Sequence, residues 1–174
     1  MFHPTVYENL KVAFENYLYD LDNQEAVITI TNREDILDMA VMSRQFTLQF
    51  ALAGHEEPTA EVRLYSSVAD LAAEILEEGD PSELCSLVIR FRYKVRDLKR
   101  CKEAEVILIN IWLPELPIRQ VILYPYDTAS EKPDYYSVSA DVRFNRRIGE
   151  GQIEDIPNLA EHMIRSLMEL SGKL

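Results

Sequence analysis

With 174 residues and a mass of 20.1 kDa, the chain fits one domain over residues 1–174, with a core that needs no disulfide staples. A composition of 47% hydrophobic and 28% charged residues excludes disorder as the default. The formal net charge of −12 opposes general attraction to nucleic acid or anionic lipid.

The opening Met1 to Thr5 lacks the basic and apolar regions of a secretion signal. No apolar run reaches the roughly 18 residues of a membrane span. Cys85 and Cys101 form no CxxC pair and no disulfide framework, so a reducing cytoplasm is the expected compartment.

Thr5 and Glu8 make a capping-box pattern ahead of a helical stripe of Val6, Leu10, Ala13, Phe14, Tyr17 and Leu18. That helix is expected to end near Asn23. The β-branched run Ala26 to Thr31 predicts a short strand. Asn32, Glu34 and Asp35 suit a helix start, which predicts a second helix to about Met42 burying Ile36, Leu37, Ala40 and Val41. Phe46, Leu48, Phe50 and Leu52 alternate with polar or small residues, and residues 61–65 give a return strand, so the pair is a hairpin with a long loop.

Ser67 and Asp70 open a third helix whose expected buried stripe is Val68, Leu71, Ala72, Ile75 and Leu76, stopped by Gly79 and Pro81. Strands are predicted near 84–96, 104–113, 118–126 and 135–147, with turns at Pro114 to Pro117 and Thr128 to Pro133. The segment Glu105 to Leu113 is apolar at both parities, the pattern of a central strand covered on both faces. Short connections favour a four-strand antiparallel meander. Pro157 then opens a last helix with Leu159, Ala160, Met163, Ile164 and Leu167 on one face.

The predicted class is α+β, in the order α-β-α-β-β-α-β-β-β-β-α, with a mainly antiparallel sheet and helices at both termini. Only the first β-α-β passage offers a parallel pair.

Period-two counting on the strand near 84–96 places Arg90, Arg92, Lys94 and Arg96 on one face, and Leu87, Ile89, Phe91, Tyr93 and Val95 on the other. Between residues 90 and 102 stand seven basic residues and one acid, a net +6 that leaves −18 on the rest. Four like charges in register require compensation. Three readings compete: a solvated face paired with internal acids such as Asp141, a docking face for an acidic partner or a second copy, and an anion site completed by Arg143. Nucleic acid is disfavoured, because no recognition motif is present and Phe91 and Tyr93 point away from the cations.

Tyr124, Tyr126, Tyr135 and Tyr136 cluster at one predicted hairpin end, either as an interface or as strand-end packing. Arg100 and Lys102 flank Cys101 and would favour its thiolate, but no base stands nearby. His3, His55 and His162 occur in no metal-ligand spacing, and no motif implies a cofactor. No Gly-x-Ser-x-Gly elbow or phosphate-cradling loop is present, and the sequence carries no catalytic signature.

The leading expectation is a cytoplasmic, non-catalytic interaction or regulatory protein, acting as a homodimer that binds a protein partner. The alternative is a binder or enzyme for an anionic, phosphorylated small molecule held by Arg90, Arg92, Lys94 and Arg96.

Overall fold

The computed structural model describes residues 5–80, 84–126 and 132–174. The expected helix stop at Pro81, the turn residues 128–131 and His3 lie outside them.

Helix α1 (Val6–Asn23) starts where the capping pattern places it, with the Thr5 hydroxyl accepting from the Glu8 N–H at 3.2 Å. Strands β1 (Ile28–Asp38), β2 (Ser43–Leu52) and β3 (Thr59–Ser66) follow as an antiparallel meander. Helix α2 (Val68–Ile75) carries a complete capping box: the Ser67 N–H donates to Asp70 at 2.7 Å and the Asp70 N–H to Ser67 at 3.2 Å. Strand β4 (Ser86–Val95), helix α3 (Lys99–Trp112), strands β5 (Arg119–Leu123) and β6 (Tyr136–Arg143), a 3-10 segment (Glu150–Asp155) and helix α4 (Ile156–Lys173) complete the chain. The α+β class, the antiparallel sheet and the helices at both ends agree with the expectation.

All six described strands join one sheet in the order β1-β2-β3-β4-β6-β5, and every pairing is antiparallel. The parallel pair allowed by the first β-α-β passage therefore does not form among them. One sheet face presents Phe46, Leu48, Phe50, Val62, Leu64, Ile89, Phe91, Val138 and Ala140 to the buried stripes of α1, α3 and α4. Trp112 ties α3 into this core. Its ring lies 6.2 Å from Phe91, and its indole N–H donates to the Ser166 hydroxyl on α4 at 3.0 Å.

Two segments depart from the sequence reading. The expected central strand at 104–113 is helix α3, so the predicted four-strand meander is instead strand, helix, strand, strand. Cys101, Ala104, Ile107, Leu108 and Ile111 are its buried positions, a helical stripe, while Val106 and Ile109 are exposed. Those two and the exposed Leu113 just beyond the helix end, laid over a helical stripe, imitate apolarity at both strand parities. Arg100 with Glu103 and Lys102 with Glu105, each 2.7 Å apart at (i, i+3), brace the first turns.

The predicted helix at 32–42 is the outer half of β1, in register with β2 from Asn32 opposite Gln49 to Asp38 opposite Ser43. Asn32 sits at a register shift in the ladder rather than at a helix cap. An isolated short helix cannot offset its nucleation cost, whereas the extended form gains a long ladder. It also gains ion pairs to α1, from Lys11 to Asp35 at 2.8 Å and from Arg33 to Glu15 at 2.5 Å. Ile36, Leu37 and Val41, expected to be buried, are exposed.

Candidate functional site

The sheet face opposite the helices is polar, and the basic strand lies at its centre. Arg90, Arg92 and Lys94 alternate on β4 with buried Ile89, Phe91 and Tyr93, as the period predicts. Arg96 lies exposed just beyond the strand end. Arg90 meets Asp141 on β6 through two hydrogen bonds of 2.6 and 2.9 Å. Arg92 reaches buried Glu61 on β3 at 3.3 Å, which Arg63 also approaches at 3.4 Å. Lys94 pairs with Glu57 of the β2–β3 loop at 2.8 Å and lies 5.1 Å from the Tyr135 ring centre.

The register sets Gln49, Glu61, Arg90, Asp141 and Arg119 in one row across five strands, with signs alternating from Glu61 onward. Each charge in that row has its opposite beside it. Arg143 donates to the Pro117 carbonyl at 3.2 Å, away from Arg92 and Lys94. A cleft of about 320 Å³ does open over Arg92 and Lys94, but Glu56 and Glu57 also line it. Those acids offset the charge an anion would seek.

The tyrosines gather at the β5–β6 end. Tyr124 and Tyr136 meet edge to face at 5.3 Å, and Tyr124, Tyr126 and Tyr135 are all exposed. Strand β5 is an edge of the sheet and exposes Val121, Ile122 and Leu123.

The remaining sequence candidates are individually placed. Both cysteines are free and buried. Burial pushes the Cys85 thiol up to about 12, with the Asp70 charge adding to the rise. Burial raises Cys101 too, outweighing any help from its cationic neighbours in sequence. His55 is exposed in its loop, and His162 packs against Trp112 with ring centres 5.4 Å apart and ring planes tilted by 53°. Among the described residues no group of His, Cys, Asp or Glu is arranged to hold a metal ion. No described helix is long and apolar enough to cross a membrane.

The site that the sequence reading missed lies between α1, α2 and the tip of the β1–β2 hairpin. There Tyr7, Val12, Leu37, Met42, Leu71 and Ile75 line a groove of about 810 Å³. Helix α2 was expected to bury Val68, Leu71, Ala72, Ile75 and Leu76. Its one buried residue is instead Asp70, anchored by the capping box and by Arg147 at 2.5 Å. The helix makes only slight contact with other elements, and Ile75 and Leu76 are 70% and 62% exposed. Its polar anchor faces inward and its apolar stripe faces out.

The facing wall is equally unusual. Asp38 pairs with Ser43, so Met39, Ala40, Val41 and Met42 form the hairpin turn. Turns of this kind ordinarily take Gly, Asn or Asp. Here all four residues are apolar, Met39 is 70% exposed, and Met42 occupies the left-handed region at φ +54°. A sequence search for apolar residues at a predicted turn would have found it, had the turn itself been recognised.

At the groove floor the Arg44 guanidinium lies 4.4 Å from the Tyr7 ring centre and pairs with Glu8. Burial raises the Tyr7 hydroxyl far above its ordinary ionisation range, and the neighbouring Asp35 charge adds to this. That hydroxyl has no hydrogen-bond partner among the described residues.

Comparison with protein-family models, curated proteins and solved structures finds no match.

Proposed function

We propose that this is a cytoplasmic, non-catalytic interaction protein whose groove between α1, α2 and the β1–β2 hairpin holds an apolar segment of a partner protein. One observation carries the reading: two neighbouring elements, α2 and the hairpin tip, turn apolar side chains outward around one concavity. Monomeric proteins seldom leave so continuous an apolar patch uncovered. The basic strand, with Arg90, Arg92 and Lys94 engaged by Asp141, Glu61 and Glu57, serves the sheet rather than a ligand. Two buried free thiols suit a reducing compartment.

Self-pairing belongs to the same proposal and uses the other end of the sheet. Two β5 edges meeting antiparallel would make one continuous sheet, with Leu123, Tyr124 and Tyr135 packed across the two-fold axis. The groove would then stay free in both copies.

Affinity capture with Ile75→Asp and with Arg92→Gln/Lys94→Gln variants, beside the unmodified chain, tests the assignment. A partner lost with the first variant and kept with the second supports the groove. The reverse pattern overturns it and restores the basic strand as the binding face.

A further inference from the structure

Charge around the groove restricts what can occupy it, granted that the groove is the docking site. Glu8 and Asp35 are matched by Lys11 and Arg44, through contacts from Lys11 to both acids at 2.8 Å and from Arg44 to both. Those four residues are neutral as a group. Outside them Glu74 on α2 lines the groove, where it also accepts the Val6 N–H at 2.9 Å, and the exposed acids Asp38, Glu77 and Glu78 follow closely in the chain after the lining residues Leu37 and Ile75. No described cation forms an ion pair with any of these four carboxylates. Together these acids make a net negative collar around a groove whose walls are apolar.

We infer that the occupant is a cationic amphipathic helical segment of a partner protein. Its apolar stripe would meet Val12, Leu37, Met42 and Ile75, and its Lys or Arg face would meet the collar. Two helices and a hairpin tip form walls suited to a helix laid lengthwise, with anchors at i, i+3, i+4 and i+7. A second copy of the chain is disfavoured as the occupant of the groove itself, since the basic residues of its β4 face are already engaged by its own acids and cannot meet the collar. An anionic lipid surface is repelled by the same collar.

The probe is a labelled peptide of roughly 18 residues with Leu at helical spacing and Lys elsewhere. It is compared by fluorescence anisotropy with a Leu/Glu peptide of the same pattern and a scrambled Leu/Lys peptide. The patterned Leu/Lys peptide should bind about tenfold or more tightly than either. Methyl signals of Met39, Met42 and Ile75 should shift on binding to the unmodified chain, which locates the site without any variant. Glu74→Gln/Glu77→Gln/Glu78→Gln should weaken binding about three- to tenfold and flatten its salt dependence. Removing three carboxylates elsewhere, with Glu103→Gln/Glu154→Gln/Glu161→Gln, should change it less than about twofold.

Equal binding of the Leu/Glu peptide with the same methyl shifts would overturn the cationic occupant and leave the groove reading standing. Binding of any peptide without those shifts, or none at all, would remove both. A self-associated species dispersed by Ile75→Asp would assign the groove to a second copy and overturn the inference.

Discussion

Arg90 on β4 and Asp141 on β6 stand directly opposite in the ladder and share two hydrogen bonds of 2.6 and 2.9 Å. The pair turns the central charge of the basic strand into part of the sheet. Asp141 is the more buried partner, so its removal leaves a guanidinium facing a lost acceptor in a half-dry setting. Asp141→Asn should destabilise the fold by about 2 kcal/mol in urea denaturation. The double variant Arg90→Met/Asp141→Leu should recover most of that loss, because no isolated charge then remains. A double variant no more stable than Asp141→Asn would mean that the pair does not carry the effect.

Helix α3 offers a test that separates helix from strand. Val106 and Ile109 are 47% and 40% exposed on its outer side. Val106→Ala and Ile109→Ala should each leave stability unchanged or raise it by up to about 0.5 kcal/mol, since Ala is the better helix former. In a central strand the same truncations would cost about 2 kcal/mol or more. Val106→Pro should cost about 3 kcal/mol. Trp112, the chain's one tryptophan, packs between Phe91, Phe144 and His162, so its fluorescence follows the docking of this helix.

The same helix shows where the fold was legible in the sequence and where it was not. Helices α1 and α4 and strands β2, β4 and β6 each carry one clean period, and the caps at Thr5 and Ser67 mark their helices without ambiguity. Residues 105–113 fail because a buried stripe overlaps three exposed apolar positions, Val106, Ile109 and Leu113. The charge pairs at Arg100/Glu103 and Lys102/Glu105 held the missing signal. Residues 32–38 fail for the opposite reason. They are exposed throughout, so no burial period distinguishes strand from helix, and pairing with β2 decides. The groove was illegible because its apolar residues were assigned to a core they never enter.

Asp70 makes stability depend on pH in a defined direction. Burial alone would raise its carboxyl, but hydrogen bonds from Arg147 and Ser67, with the Arg147 charge, hold it below its ordinary value. A carboxyl lowered in the folded state contributes stability that is fully present above its unfolded value of about 3.9 and disappears as pH falls through the folded one. Asp70→Asn should therefore destabilise the protein at pH 7, and the gap between variant and unmodified chain should close in strong acid. Denaturation midpoints from pH 7 down to pH 2 measure this. A gap that stays constant would show that the carboxylate charge contributes nothing.

The two thiols should be silent in the native protein. Burial raises both, Cys85 to about 12, so little thiolate exists at pH 8, and both residues are buried. Ellman's reagent at pH 8 should react slowly with the folded chain and at once with both thiols in denaturant. Cys101, the less deeply buried, should react before Cys85. Rapid reaction of one equivalent in native buffer would instead reveal an activated thiol at Cys101.

Met42 sets stability against binding at a single position. Its backbone lies at φ +54°, a conformation that costs an L-residue roughly 1 kcal/mol and glycine almost nothing. Its side chain lines the groove and is partly exposed, so the fold loses little when the side chain is removed. Met42→Gly should therefore raise stability by about 0.5–1 kcal/mol, read as a higher unfolding midpoint. It should also weaken capture of the Leu/Lys peptide, because one anchor of the apolar wall is gone. Strain retained at an apolar turn is the pattern expected where contact with a partner, rather than folding, determines the residue. A Met42→Gly chain that binds as well as the original would break that link and leave the turn without a role in docking.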